Sequence, residues 1–253
     1  MTRRYSCFYL IFLVHFFTCS SIAIAAERSL VILNWADYID DSLVQEFERD
    51  TGIKVKMSYY ETDDTRDSLL LETGGKGYDI VIVNGLKIAP YQRQGWLAPI
   101  NAKQLPNLKF VSPTWRNAYP QASHFAVPYL WGTLGLAYRQ DLVSNRVINS
   151  WSALFNPGLP LQGKVMWVKA VRDLIGPALK SLGYSANTTN QKHLNEVGVL
   201  LQQNRRFVHS LGYTLIDEMA KLVTGEVILA PVYNGDALSL QAVEPNVRYV
   251  IPK

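Results

Sequence analysis

Apolar positions fall in short blocks along this chain, and the blocks alternate between strand-like and helix-like spacing. Leu30 to Leu33 form an unbroken apolar run, as expected of a strand covered on both faces in a parallel sheet. The run closes on Asn34, Trp35, Asp37 and Tyr38, after which Asp40, Asp41 and Ser42 offer N-caps to a helix carrying Leu43, Val44 and Phe47. Gly52 suits the C′ position of that helix. Ile53, Val55 and Met57 alternate with Lys54 and Lys56, the pattern of a second strand. Thr62-Asp63-Asp64 can cap a helix holding Leu69, Leu70 and Leu71, with Gly74-Gly75-Lys76-Gly77 as its stop. Asp79 to Val83 predicts a third buried strand ending in the polar pair Asn84-Gly85, and a helix follows near Ile88 to Arg93.

Between residues 98 and 125 the periodicity is lost, broken by Pro99, Pro106, Pro113 and Pro120, so an irregular surface segment is expected. Thr133 to Tyr138 is a candidate for the strand that leaves a first lobe for a second. Asn149-Ser150 then caps a helix with Trp151, Leu154 and Phe155, and Gly163 to Val168 reads as a strand. Helices are expected from Asp173 to Leu182, from about Gln191 to Asn204, and from Thr214 to Val223, with a short strand at Arg206 to His209. Val227 to Pro231 and Val247 to Ile251 read as strands, separated by a helix that Asp236 can open. Strand–helix alternation of this kind argues for an α/β architecture with a mostly parallel sheet.

Composition narrows the class. Of 253 residues, 48% are hydrophobic and 18% charged. These are globular values, sufficient for one large domain or two small ones. The net charge of +4 includes Arg3 and Arg4, and no basic block larger than the Arg205-Arg206 pair forms a nucleic-acid footprint. Residues 1–26 have the build of a cleavable secretory leader. Arg3 and Arg4 precede an apolar centre from Phe8 to Phe17, and Ala23-Ile24-Ala25 supplies a small-x-small site. An uncleaved anchor is the alternative, although Ser20-Ser21 closes the apolar stretch early for a membrane span. Both cysteines, Cys7 and Cys19, fall inside this leader. The chain beyond it therefore offers no disulfide, thiolate nucleophile or cysteine-held metal.

Catalytic patterns are absent. The four histidines are scattered, without the H-E-x-x-H spacing of a zinc site. No G-x-S-x-G elbow and no G-x-G-x-x-G after a strand occurs, and the Asp63-Asp64 pair is explained by capping. No cofactor is expected. What stands out is Trp35 and Tyr38 around Asp37, at the carboxyl end of the first strand. Ligands of open α/β sheets sit there, and aromatic faces beside a carboxylate suit an organic cation. The same rings would equally serve as packing at a strand–helix turn.

Several segments together carry a resemblance. Asn34-Trp35-Ala36-Asp37-Tyr38, Phe47 with Thr51-Gly52-Ile53-Lys54-Val55, Tyr78-Asp79-Ile80-Val81 and Val127-Pro128-Tyr129-Leu130-Trp131-Gly132 are the first. Leu182-Gly183-Tyr184-Ser185, Asn187-Thr188-Thr189, Gly225-Glu226-Val227 and Tyr233-Asn234-Gly235 continue the series. From about Leu30 to Lys253 the chain resembles the bacterial periplasmic spermidine/putrescine-binding proteins, the solute receptors of polyamine ABC importers.

The resemblance implies an α/β, two-lobed periplasmic binding protein fold of type II-like build, with the ligand in a cleft between the lobes. Residues 1–26 would be the leader, 27–135 the first lobe and 136–253 the second. It also implies hinge closure, a polyamine ligand, an inner-membrane ABC permease as partner, a periplasmic location, and no enzymatic activity. Trp35 and Tyr38 would be aromatic walls and Asp37 would meet an amine. Asn84 belongs with the site, at the end of the third strand. Asp173 stands for a family glutamate, Ser210 for a polar cleft position, and Tyr233 for a family tryptophan. Carboxylates for each ammonium and aromatic faces along the methylenes are what a polyamine requires.

The sequence departs from the family in three places. Ala170, beside Lys169, replaces an anchoring aspartate, and Leu86 replaces a tyrosine. The chain stops at Tyr249-Val250-Ile251-Pro252-Lys253, where the family continues into a second crossing strand with a tryptophan, an aspartate and a glutamine of the site. A fragment or truncated product is the expectation. Two alternatives to transport accompany it: a polyamine-sensing co-receptor for a membrane-bound sensor, and a truncated form that has lost binding.

Overall fold

Strand β1 (Ser29–Trp35) runs through the centre of a three-stranded parallel sheet, between β2 (Lys54–Tyr60) and β3 (Ile80–Val81). The computed structural model describes residues 28–253 apart from Asp37, Asn145 and Val147. The leader, with Cys7 and Cys19, and the expected ligand residue Asp37 lie outside the described residues. Chain contacts divide the protein into two units, Met1–Tyr129 and Leu130–Lys253. No helix among the described residues is long and apolar enough to cross a membrane.

In the first unit, local chemistry sets the element ends. Helix α1 (Asp41–Thr51) joins β1 to β2, and the Asp40 side chain accepts the Ser42 N–H at 2.8 Å. It stops at Gly52, whose φ of 67° needs a residue without Cβ. Helix α2 (Asp63–Thr73) is capped by Thr62, whose hydroxyl accepts from Thr65 N at 3.1 Å. β3 is shorter than the apolar run predicts. Its first ladder position is shared with a side chain, since Asp79 Oδ2 accepts the Val31 N–H at 2.8 Å. Helices α3 (Ile88–Arg93) and α4 (Pro113–Arg116) complete the unit, the latter within the proline-broken stretch. Leu33, Tyr60, Leu70 and Tyr91 form its buried core, with Trp35, Trp96 and Val83 packed around them. Helix α1 buries no residue fully, and Leu43 stays exposed.

The second unit holds a five-stranded mixed sheet. Its elements are β4 (Leu134–Arg139), α5 (Ser152–Phe155), β5 (Val165–Val168), α6 (Val171–Ser181) and α7 (Gln191–Asn204), then β6 (Val208–Gly212), α8 (Lys221–Thr224), β7 (Leu229–Tyr233), α9 (Asn234–Val243) and β8 (Val247–Val250). The strand order is β6-β5-β7-β4-β8. β5 runs parallel to β6 and β7, whereas β4 is antiparallel to β7 and β8. All of β4, the strand expected to lead out of the first lobe, lies in this unit. Successive strand residues enter opposite cores, as period-two geometry demands. Leu136, Tyr138, Val165, Trp167 and Leu229 join Phe155, Leu179 and Val197, while Ala137, Met166, Ala230 and Val232 join Leu222, Ala237 and Leu240. Both faces of the sheet are therefore covered, as the apolar runs require.

One expected helix is not formed. Residues 214–220 are irregular, and only Lys221–Thr224 is helical. Asp217 Oδ1 accepts the Met219 N–H at 2.9 Å, a local turn that competes with helical bonding. Met219 is left 76% exposed and Leu215 57%, while Ala220 enters the core around Leu222 and Ala237 and Ile216 packs against it without a helix. The short strand expected at residues 206–209 forms later, at β6, after a 3₁₀ turn.

Candidate functional site

Each unit gathers expected residues at the carboxyl ends of neighbouring parallel strands. In the first unit Trp35 is the last residue of β1, and Asn84 follows β3. Backbone pairing sets Trp35 opposite Tyr60, and their ring centroids lie 4.8 Å apart at an interplanar angle of 55°. Tyr38 adds a second ring, 5.7 Å from Trp35 and tilted by 45°. The Tyr38 carbonyl accepts the Tyr129 hydroxyl at 2.7 Å, which ties the turn after β1 to the Val127-Pro128-Tyr129 segment. Burial pushes the Tyr129 phenol above its ordinary pKa.

Beneath Trp35 lies a side chain that sequence reading did not assign. Arg66, on α2, is fully buried. Its guanidinium sits 5.8 Å from the Trp35 ring centroid, 5.2 Å from Tyr60 and 5.8 Å from Tyr91. Its nitrogens donate to Tyr91 Oη at 2.7 Å, Tyr60 Oη at 3.3 Å, Asp63 Oδ1 at 2.5 Å and Asp67 Oδ1 at 3.0 Å. Lys87 Nζ closes the group on Asp67 Oδ2 at 2.5 Å, and Tyr91 donates to Asp67 as well. Burial, the largest influence, works to lower the Arg66 pKa, yet its bonds with Tyr60, Asp63 and Tyr91 raise it above the ordinary value. Burial likewise pushes Asp67 up, but Lys87, Tyr91 and Arg66 together hold it below the ordinary carboxylate value. Burial raises Tyr60 and Tyr91, so both remain neutral donors at physiological pH.

Asp63 is thus not a cap, as its place before the helix had suggested. Its second oxygen, Oδ2, accepts from Asn84 Nδ2. Asn84 Oδ1 is buried and has no hydrogen-bond partner among the described residues. Asn34, fully buried, spends its own Oδ1 on the Trp35 N–H at 2.9 Å and leaves Nδ2 without a partner. A signal for the Arg66 cluster existed in the spacing. Asp63 and Arg66 are three residues apart on one helix face, where opposite charges meet, and Leu70 follows Arg66 by four on the buried stripe.

In the second unit, Asp173 lies in the first turn of α6, just after β5, and Tyr233 ends β7. β5 and β7 are adjacent, and the Tyr233 hydroxyl donates to Asp173 Oδ2 at 2.9 Å. Helix α6 starts two residues earlier than the polar signal had suggested, from Ala170, which supplies no side-chain cap. Asn234 Oδ1 accepts the Thr133 N–H at 2.9 Å, anchoring the Tyr233-Asn234-Gly235 segment to the entry of β4. Ser210 lies on β6, paired with Met166. Its hydroxyl and that of Thr214 are buried without partners among the described residues, and both residues line a cavity of about 140 Å³ with Lys221 and Leu222. A depression of about 500 Å³ lined by Tyr138 and residues 140–144 contains none of the expected residues. Among the described residues, no group of three or more His, Cys, Asp or Glu side chains could hold a metal. Asp37 apart, the structure brings Trp35 to Tyr38 and Asp173 to Tyr233, links Asn84 through Asp63 to the Arg66 cluster against Trp35, and leaves Ser210 in its own cavity on β6.

Known proteins bear on this geometry. The chain is 26% identical over 229 residues to the spermidine/putrescine-binding periplasmic protein of Escherichia coli K12, covering 90% of this chain and 64% of that relative. It is 28% identical to the norspermidine sensor of Vibrio cholerae, over 85% of this chain and 58% of that protein. Among solved structures, the spermidine/putrescine ABC transporter substrate-binding protein PotD of Streptococcus pneumoniae superposes with a TM-score of 0.74 at 27% identity. That match covers 89% of this chain and 68% of the other. The α/β fold of periplasmic binding proteins is therefore shared, over part of the length of these relatives. The family described as bacterial extracellular solute-binding protein matches residues 42–253, and the chain belongs to that family of binding proteins.

Proposed function

We propose that this chain is the ligand-binding part of an exported polyamine receptor, which takes a spermidine- or putrescine-like cation in the periplasm and delivers it to an inner-membrane ABC importer. The observation that carries the reading is the same in both units: an aromatic ring sits at the carboxyl end of a parallel strand, beside groups that accept hydrogen bonds. Trp35 and Tyr38 supply rings in the first unit, with Asn84 Oδ1 as acceptor; Asp37, their neighbour in the sequence, is assigned to an amine by the resemblance alone. Asp173 and Tyr233 supply an anion and a ring in the second, with Ser210 as a further polar contact. Rings suit the methylene chain and its adjacent charge, and carboxylates suit the ammonium groups. The similarity to spermidine/putrescine-binding proteins supports the ligand class. Titration calorimetry of the purified protein with spermidine, putrescine and norspermidine tests it. Heat of binding and a matching rise in melting temperature are expected; no response to any of the three would overturn the reading.

A second reading is a polyamine-sensing co-receptor for a membrane-bound signalling protein. The similarity to the norspermidine sensor favours it, as does Ala170 beside Lys169 in place of an acidic anchor. Affinity capture with the polyamine-loaded protein separates the two: a permease supports transport, and a membrane sensor supports signalling.

A further inference from the structure

Resting on the polyamine reading for its ligand, we propose that Asp63 and Arg66 are positioning residues that fix the Asn84 carboxamide with its oxygen toward the ligand, so that the first unit selects an amine able to donate an N–H. A carboxamide has two nearly isosteric ends, and its neighbours decide which end points where. Asp63 offers only acceptor oxygens when ionised. It therefore takes the Asn84 Nδ2 end and leaves Oδ1 buried and without a partner among the described residues. Asp63 cannot turn away, because its other oxygen is held by Arg66 at 2.5 Å. Arg66 in turn is locked between Tyr60, Tyr91 and Asp67 and beneath Trp35.

The charges in this cluster cancel. Arg66 and Lys87 oppose Asp63 and Asp67, so neither carboxylate is left to attract a second cation. What the cluster offers a ligand is a directed acceptor, the Asn84 oxygen. An acceptor of that kind distinguishes a protonated amine from a quaternary one, which carries the same charge but has no N–H to donate. A site of rings alone would not distinguish them.

Two measurements test this, one of them free of ligand. In the unliganded protein, the Asn84 side-chain NH₂ resonances, identified by their loss in Asn84→Ala, are expected to exchange slowly with solvent. They should shift and exchange faster in Asp63→Asn and in Arg66→Lys, which keeps the charge but loses the planar fork. Unchanged resonances in both variants overturn the proposal, whatever the protein binds. In binding, Asp63→Asn and Asn84→Ala are each expected to weaken spermidine on the order of tenfold, with the double variant no weaker than Asn84→Ala. Multiplying losses overturn it, since Asp63 would then act apart from Asn84. The wild type should also prefer putrescine over its bis-trimethylammonium analogue by a margin that shrinks in Asn84→Ala; an unchanged margin overturns the selection of N–H donors. Perturbed resonances in a protein that binds no amine at all would uphold the positioning and defeat the polyamine reading alone.

Discussion

The Tyr233 hydroxyl donates a 2.9 Å hydrogen bond to Asp173, a residue 60 positions earlier in the chain. Sheet order alone brings them together, because β5 and β7 are neighbours and both residues stand at or just past their carboxyl ends. Removing the hydroxyl and removing the charge should have unequal effects. Tyr233→Phe is expected to weaken polyamine binding by about 0.5–1.5 kcal/mol, the worth of an ordinary hydrogen bond. Asp173→Asn takes away the charge proposed to meet an ammonium and should cost about 2–5 kcal/mol. Calorimetry with spermidine ranks them, and wild-type affinity in Asp173→Asn would exclude that residue from the site.

Arg66→Ala should destabilise the first unit strongly. The substitution leaves Asp63 and Asp67 without their buried counter-charge and removes the group stacked against three rings. Breaking a buried pair from one side costs on the order of 3–5 kcal/mol. Urea unfolding followed by tryptophan fluorescence measures it, and a change below about 1 kcal/mol would assign the cluster no structural weight.

Acid should act on the same cluster through Asp67. Folding holds this carboxyl below its ordinary value of 3.8, so the unfolded chain binds its proton more readily than the native state does. The stabilisation is fully present above about pH 5 and fades as the pH falls through the folded value. Melting temperatures of wild type and Asp67→Asn should therefore converge on acidification. A gap that stays constant down to about pH 3 would show that Asp67 titrates alike in both states.

Ser210→Ala should separate stability from binding. The hydroxyl is buried with no partner among the described residues, an arrangement that costs about 1–3 kcal/mol of desolvation. Deleting it is expected to leave the unliganded melting temperature unchanged or higher, while reducing the upward shift that spermidine causes. A full ligand-induced shift in the variant would remove Ser210 from the binding surface.

What the sequence revealed follows from how local each cause is. Asp40, Thr62 and Gly52 act within a few residues, and each performs the capping role its type predicts. The apolar runs of β1 and β5 needed only a sheet covered on both sides. Arg66 was hidden because its burial depends on Tyr91, 25 residues away, and on the Asp63 contact to Asn84, 21 residues away. Residues 214–220 misled for the opposite reason. Their apolar spacing imitated a helix, but short-range hydrogen bonds from Met219 N to Asp217 Oδ1 and from Ala220 N to Asp217 O close a turn there instead. The aromatic and acidic residues were legible as types; the pairing of Asp173 with Tyr233 became visible only through strand order.

The pairing of β1 with β2 sets Trp35 opposite Tyr60 and Asn34 opposite Tyr59. Alternate residues of a strand face opposite sides, so a slip of one position would trade the indole for the Asn34 carboxamide on the face above Arg66. The aromatic surface would vanish whole, and the guanidinium would lose one of its rings in the same step. On the proposed site, recognition and correct alignment of the first two strands are in this sense a single event. A one-residue insertion within β1, between Leu33 and Asn34, should therefore abolish spermidine binding outright instead of weakening it by degrees.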